Sequence, residues 1–112
     1  MKTIIAGSRT FGDYDFLKKV CQEEIITEVV SGNANGADKL GEKFAKECQI
    51  HLTKFIPNWD EFGKRAGYLR NVEMADYVEQ LIAFNVNKSK GTEHMIKIAK
   101  EEGLRVVVYN IS

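Results

Sequence analysis

Short runs of β-branched and apolar residues alternate with stretches of helical period along this chain. The pattern predicts strands over residues 2–6, 27–30, 51–56, 81–84 and 104–109. It predicts helices over residues 14–24, 37–48, 68–78 and 92–102. Because the connections are short, strands and helices that alternate in this way form a parallel sheet covered on both faces. We therefore expect an α/β fold built on a five-stranded, mostly parallel sheet.

The length and the composition are those of one globular domain. A chain of 112 residues with 44% hydrophobic and 29% charged residues has room for one core, so we predict a single domain over residues 1–112. No apolar run approaches the roughly 20 residues that span a bilayer, and no signal peptide is recognisable. Cys21 and Cys48 fall on apolar helical positions and are predicted to be core residues of a reducing compartment, which makes a cytoplasmic location the expectation.

The charges of the chain balance, because sixteen basic residues stand against sixteen acidic ones and the formal net charge is zero. A chain without net charge exerts no long-range attraction on DNA, RNA or an anionic membrane. We therefore do not expect a nucleic-acid or membrane partner, while a local basic pocket is compatible with this balance.

The segment Ser31-Gly-Asn-Ala-Asn-Gly-Ala-Asp38, called the octet below, joins the second predicted strand to the second predicted helix. Gly32 and Gly36 allow positive φ and a close approach of a ligand to the backbone. Ser31, Asn33 and the first N–H groups of the helix are placed to bind an anion. Asp38 is placed either to bind a ribose hydroxyl or to cap the helix. A tight turn that uses Gly and Asn for geometry alone explains the octet equally well.

The loops that follow the strands of a parallel sheet lie at one edge of the sheet, where ligands bind in such folds. Ser8, Arg9 and Thr10 follow the first strand and suit a phosphate or a carboxylate, unless Arg9 is simply a solvated loop residue. Residues 63–71 place three cations at a helix start, where acidic residues are the norm. This favours an anion bound at Arg70.

Two more segments of the same edge are candidates for ligand contact. Lys90-Gly91-Thr92 again places a cation and a glycine at a helix start, with Thr92 as the predicted cap. Trp59 lies in a predicted loop over residues 58–67, where it offers a flat face to a base or packs as a lid on the core. His51 is predicted to be a surface residue, and His94 is a weak candidate for this edge.

The motifs of several common enzymes are absent from the sequence. It has no Gly-x-x-x-x-Gly-Lys-Ser/Thr loop and no Gly-x-Gly-x-x-Gly after the first strand, so we expect neither ATP hydrolysis nor ordinary NAD redox chemistry. Two His and two separated Cys residues do not form a metal site, and no Gly-x-Ser-x-Gly elbow supports Ser–His catalysis. We expect no metal and no cofactor.

Five segments, in order across nearly the whole chain, together resemble the YspA-like (DUF2493) branch of the SLOG superfamily. They are Ile5-Ala-Gly-Ser-Arg-Thr-Phe11, the octet, Pro57-Asn-Trp59, Gly63-Lys-Arg-Ala-Gly-Tyr-Leu-Arg-Asn71 with Met74, and Gly91-Thr92. SLOG proteins include the lonely-guy enzymes and the DprA family. The resemblance implies a Rossmann-like, three-layer α/β/α fold with strand order 3-2-1-4-5. It also implies a nucleotide-derived ligand, in some relatives linked to NAD or ADP-ribose signalling in bacterial and phage conflict, and a dimer.

The resemblance further implies one nucleotide pocket lined by Gly7, Ser8, Arg9, Gly32, Gly36, Asp38, Arg70, Asn71, Gly91 and Thr92. Lonely-guy enzymes pair an arginine with the glutamate of a Gly-Gly-x-Gly-Thr-x-x-Glu segment to cleave an N-glycosidic bond. Arg70 matches the arginine, but Met95 stands at the glutamate position and Glu93 comes two residues earlier. Two residues turn a helical side chain by roughly 200°, so Glu93 is predicted to face the wrong way.

We therefore predict a protein that senses or sequesters a nucleotide-derived small molecule, of the NAD or ADP-ribose type, without turning it over. The alternative is a nucleotide N-glycosidase that uses Arg70 with Asp38 or Glu93. A single-stranded nucleic-acid binder in the manner of DprA is a third hypothesis, which the zero net charge disfavours.

Overall fold

The computed structural model describes residues 1–111. Its strands are β1 (Lys2–Gly7), β2 (Glu28–Ser31), β3 (His51–Lys54), β4 (Gln80–Val86) and β5 (Arg105–Ile111). Its helices are α1 (Tyr14–Gln22), α2 (Ala37–Glu47), α3 (Trp59–Phe62), α4 (Ala66–Tyr77) and α5 (Lys90–Glu101). A 3-10 turn over Gly63–Arg65 joins α3 to α4.

The five strands form one sheet in the order β3-β2-β1-β4-β5, and every neighbouring pair is parallel. β1 lies at the centre, where Ile4 is opposite Val30 of β2 and Leu81 of β4. The predicted α/β class, the Rossmann-like architecture and the strand order 3-2-1-4-5 are confirmed. β2 and β3 lie on one side of β1, and β4 and β5 lie on the other. This switch in strand order places a crevice beside the carboxyl end of β1.

Successive residues of the central strand point to opposite faces of the sheet and divide the core in two. Ile5 packs with α1 and α2 on one face, and Ile4 packs with α4 and α5 on the other. Gly41 of α2 faces β1, where an added Cβ would lie 2.7 Å from Ile5 Cγ2, so this glycine lets the helix lie close to the sheet. Full burial of one such isoleucine contributes about 1.5–3 kcal/mol.

Two helices begin at side-chain caps. Asp13 accepts a hydrogen bond from the Phe16 N–H at 3.1 Å and so caps α1. Asn58 accepts from the Glu61 N–H at 3.1 Å and donates to the Glu61 carboxylate at 3.1 Å. This reciprocal pair nucleates α3, and the loop predicted over residues 58–67 is therefore wrong. α4 begins at Ala66, two residues before the predicted start.

Other element ends differ from the predictions. α5 begins at Lys90 with Ser89 in the cap position, so Thr92 lies within the first turn and is not a cap. Cys48 is exposed, because it follows the last residue of α2 at the end of the helix, whereas Cys21 is buried as predicted. Among residues 1–111 no helix has the length and apolarity to cross a membrane.

Candidate functional site

A cleft with two lobes lies at the carboxyl edge of the sheet. The inner lobe has a volume of about 350 Å³ and is walled by residues that belong to the core, including Ala6, Met74 and Met95. The outer lobe has a volume of about 520 Å³ and is walled by more exposed residues of the segment between β3 and α4. The lobes form one cleft because both are lined by Arg9, Ala34, Arg70, Asn71 and Gly91.

The floor of the inner lobe is built where β1 ends beside β4. An added Cβ on Gly7 would collide with the Phe84 carbonyl oxygen, so only a glycine allows this approach. The Ser8 hydroxyl accepts the Val86 N–H at 2.8 Å and lies 2.7 Å from Ser89 Oγ, which donates to Thr92 Oγ1 at 2.8 Å. These hydroxyls tie β1 to the start of α5. Ser8 and Thr92 line the inner lobe, as does Thr10.

The octet folds into a turn that packs on the loop after β1. Gly36 has φ +79°, and an added Cβ would collide with the carbonyl oxygens of Ser8 and Arg9. Ser31 is fully buried, accepts the Asn33 N–H at 3.0 Å and donates to Glu42 Oε2 at 2.7 Å. Ser31 and Gly36 therefore shape the turn and line neither lobe, while Asn33 lines the outer lobe.

Asp38 contributes a buried carboxylate to the inner lobe. It is 4% exposed, and Oδ2 accepts the Ala34 N–H at 3.2 Å, so Asp38 closes the octet and does not cap α2. Burial raises the pKa of Asp38 to about 6, although the Ala34 N–H and the Arg70 guanidinium act in the opposite direction. Gly32 leaves room for this pair, since an added Cβ would lie 2.9 Å from both Asp38 Oδ2 and Arg70 Cζ.

Arg70 holds a fixed positive charge where the lobes meet. Its Nη1 donates to the Gly32 carbonyl at 2.8 Å, and its Nε and Nη2 donate to Asn71 Oδ1 at 3.3 and 3.2 Å. Burial lowers the pKa of Arg70 and Asp38 acts in the opposite direction, but a guanidinium stays protonated at neutral pH. Arg9 is exposed and lines both lobes beside it.

The outer lobe is walled by aromatic side chains. Trp59 is 52% exposed and packs against Gly67, whose added Cβ would lie 3.3 Å from the indole, so Trp59 is not a lid on the core. Tyr68 is 58% exposed, and its ring centroid lies 4.0 Å from that of His94. His94 Nδ1 lies 3.0 Å from Asn71 Nδ2. Exposed aromatic faces of this kind suit the stacking of a planar ligand.

The structure brings most of the predicted site residues to this cleft: Gly7, Ser8, Arg9, Thr10, Gly32, Asn33, Asp38, Trp59, Arg70, Asn71, Lys90, Gly91 and Thr92. Ser31, Gly36 and Glu93 line neither lobe. Glu93 is exposed and accepts a hydrogen bond from Asn85 Nδ2 at 3.0 Å, which agrees with the predicted wrong direction of its side chain. Tyr68 also lines the outer lobe and is not among the predicted site residues, although it follows Gly67, on which Trp59 packs.

In the described part of the chain, two helices that begin at the cleft have no side-chain cap. Within residues 1–111, no side chain caps α2 or α5, whereas α1 and α3 are capped by Asp13 and Asn58. Lys90 and Gly91 of the α5 start line the cleft with Arg9 and Arg70. Uncapped helix N–H groups beside two guanidinium groups form a site suited to an anion. The described residues hold no cluster of three His, Cys, Asp or Glu that suits a metal ion.

Comparison with known proteins agrees with this architecture. The chain is 29% identical to the Gene 61 protein of Mycobacterium phage D29, over 95% of this chain and 94% of that protein. It superposes on DNA processing protein A (DprA) from Streptococcus pneumoniae with a TM-score of 0.79 and 22% identity, covering 96% of this chain. The chain spans 49% of that DprA structure, and the likeness concerns the fold. The model of the YspA, cpYpsA-related SLOG family (YAcAr) matches residues 1–62, and the chain belongs to this family.

Proposed function

We propose that this protein binds a nucleotide-derived small molecule through an anionic group held where the two lobes meet. The observation that carries the proposal is that Arg9, Arg70 and Gly91 line both lobes beside the uncapped start of α5. Guanidinium groups and free helix N–H groups recognise phosphate oxygens in the same way, by charge-assisted hydrogen bonds.

The two lobes support a ligand with two parts. The outer lobe offers Trp59 and Tyr68 to a planar base, and the inner lobe offers Asp38 to a ribose hydroxyl. Volumes of about 520 and 350 Å³ are in the range of small-molecule sites. A molecule of the NAD or ADP-ribose type, in which a diphosphate joins two such parts, fits this division of the cleft. Membership of the chain in a SLOG family also supports a nucleotide-derived ligand.

The biological setting remains a prediction from the sequence. A sensing or sequestering role in conflict between bacteria and phages agrees with a relative from a phage. A cytoplasmic location, a single domain over residues 1–112 and a homodimer are predicted in the same way, and binding of nucleic acid is not expected for a chain without net charge.

The test is a calorimetric titration of the purified protein with a panel that contains AMP, ADP, ADP-ribose and NAD, together with inosine and uridine monophosphate so that both amino and oxo bases are represented. Arg9→Ala removes an exposed cation of the cleft and is expected to weaken the best ligand at least about tenfold with no change in melting temperature. Arg65→Ala is the matched control, because Arg65 is equally exposed but lines neither lobe. Equal losses of affinity in Arg9→Ala and Arg65→Ala, or no binding by any member of the panel, would contradict the proposal.

One observation favours a second function, a nucleotide N-glycosidase. Asp38 is a cavity-lining carboxyl group with a pKa of about 6 beside Arg70, and such a group can accept a proton from water as the water attacks the anomeric carbon and the base leaves. Glu93 has no comparable position. Release of free base from the panel would establish this activity, and its loss in Asp38→Asn would assign it to Asp38. An Asp38→Asn variant that releases base at the wild-type rate would exclude that assignment.

A further inference from the structure

The side chains of Arg70, Asn71 and His94 form a chain of hydrogen bonds whose direction is fixed at one end. An arginine only donates, so the amide oxygen of Asn71 must be the atom that faces Arg70 Nε and Nη2. The amide nitrogen of Asn71 therefore faces His94, with Nδ2 and Nδ1 3.0 Å apart. Since an amide nitrogen is a donor, His94 Nδ1 is the acceptor and carries no proton.

The remaining ring nitrogen of His94 is then a donor without a partner. The neutral imidazole carries its proton on Nε2, which is buried and has no hydrogen-bond partner in residues 1–111. Burial and Lys97 lower the pKa of His94 while Glu101 acts in the opposite direction, so the ring is neutral near pH 7. An unpaired buried donor destabilises the free protein, and a ligand that supplies an acceptor removes this cost.

His94 lies in a part of the cleft that is rich in donors. It lines the outer lobe with Arg9, Arg70 and Lys90, whose charged groups only donate, and no Asp or Glu is among the described residues of that lobe. The ring of Tyr68 covers the imidazole, and its exposure leaves it room to turn aside for a ligand. The outer lobe therefore favours a ligand edge that accepts hydrogen bonds over one that donates them.

We propose that His94 selects a nucleotide whose base presents an exocyclic oxygen, a 6-oxopurine or a 4-oxopyrimidine, to its Nε2–H. The inference rests on the nucleotide binding of the proposed function and names the class of base held in the outer lobe. It places an oxo base there instead of the adenine of an NAD- or ADP-ribose-type ligand. An exocyclic amino group at the same place points a second donor at the Nε2–H, which then stays without an acceptor.

The experiment compares two matched pairs of ligands by calorimetry. Inosine and adenosine monophosphate differ at position 6 of a purine and in the proton on N1, and uridine and cytidine monophosphate differ at position 4 of a pyrimidine and in the proton on N3. The oxo member of each pair is expected to bind about tenfold more tightly, the effect of one buried hydrogen bond. In His94→Asn the amide oxygen still accepts from Asn71 but the Nε2–H is missing, so the ratio is expected to fall to about one. His51→Asn, at an exposed position of β3, is the control and keeps the ratio.

The outcomes separate this inference from the function on which it rests. Equal affinities within each pair, or a ratio that survives in His94→Asn, would overturn the role of His94 and leave nucleotide binding in place. Failure of all four monophosphates to bind would overturn the selection of an oxo base, and the Arg9-dependent titration of the wider panel would then decide whether the proposed function stands.

A second measurement needs no ligand. The ¹⁵N chemical shifts of the two imidazole nitrogens, read by long-range proton–nitrogen correlation at pH 7, report which nitrogen carries the proton. The hydrogen-bond chain requires an unprotonated Nδ1 and a protonated Nε2 in His94. A proton on Nδ1, or on both nitrogens, would overturn the proposal whatever the protein binds.

Discussion

The inner and outer lobes of the cleft share their arginines but have different walls. The inner lobe is walled by residues that also belong to the core, such as Ala6, Met74 and Met95, and by the buried Asp38. The outer lobe is walled by exposed side chains, among them Ile56 at 68% exposure. Core walls cannot change without a loss of stability, whereas exposed walls can. The comparison indicates that the fold fixes the inner lobe, and under the proposed function the outer lobe is the part that selects the ligand.

The largest expected effect tests whether the inner lobe depends on the octet turn. Gly36→Ala places a Cβ against two backbone carbonyl groups at φ +79°, and we expect a loss of about 3 kcal/mol or more in the free energy of unfolding. Gly63→Ala is the matched control at φ +57°, where nothing lies within 4 Å, and it is expected to cost about 1 kcal/mol. Urea denaturation measures both. Similar losses in the free energy of unfolding for Gly36→Ala and Gly63→Ala would show that backbone movement relieves the clash in the octet. The inner lobe would then not be rigid.

The second-largest expected effect tests how much the ionised Asp38 carboxylate of the inner lobe lowers the free energy of unfolding. The pKa of Asp38 is raised from 3.8 to about 6 in the folded protein, so the folded state holds the proton more tightly than the unfolded state. Its contribution to the free energy of unfolding is therefore full below about pH 4, falls as the pH rises through 6 and is constant above that. Asp38→Asn removes this dependence, because the amide oxygen still accepts the Ala34 N–H.

Urea denaturation of wild type and Asp38→Asn at pH 4, 6 and 8 measures this difference. We expect the variant to gain stability relative to wild type as the pH rises, by about 3 kcal/mol at most at pH 8. Parallel pH profiles for the two proteins would show that Asp38 titrates normally and that the inner lobe is open to water.

The outer lobe is expected to respond in the opposite way, with a loss of binding and no loss of stability. Trp59→Ala removes an exposed ring and is expected to weaken nucleotide binding about tenfold, in line with about 1–3 kcal/mol for a base stacked on an aromatic side chain. Phe62→Ala is the control, because Phe62 is also exposed but lines neither lobe. A fall in melting temperature with Trp59→Ala would place Trp59 with the core walls and remove the contrast between the lobes.

The same contrast explains what the sequence could predict. Arg9, Asp38, Arg70 and Gly91 were assigned to one site because each follows a strand, and parallel strands end at one edge. Arg70 follows its strand through a longer segment, and the basic helix start supplied the second reason.

The walls of the outer lobe were harder to predict, because they depend on the path of the chain after β3. The four-residue helix α3 is set by the Asn58–Glu61 pair, and its direction brings Trp59 onto Gly67. No periodic pattern encodes that direction. Glu42 was missed for a related reason, since a buried carboxylate that holds Ser31 is recognisable only when the tertiary partners are known. In the octet, Ser31 and Gly36 shape the turn while Gly32 and Asn33 line the cleft, so the geometric role is observed and anion binding there stays a prediction.

The smallest expected effect separates stability from binding at the place where the lobes meet. Gly91 lies in the first turn of α5 with nothing within 4 Å of an added Cβ, so Gly91→Ala is expected to stabilise the helix by about 0.5–1 kcal/mol. The same methyl group occupies space that both lobes share and separates an anion from the first N–H groups of the helix. We therefore expect a higher melting temperature together with weaker nucleotide binding, measured by calorimetry and thermal denaturation on one preparation. If affinity is unchanged while stability rises, the anion does not bind at the start of α5, and the lobes are two separate cavities that happen to share a wall.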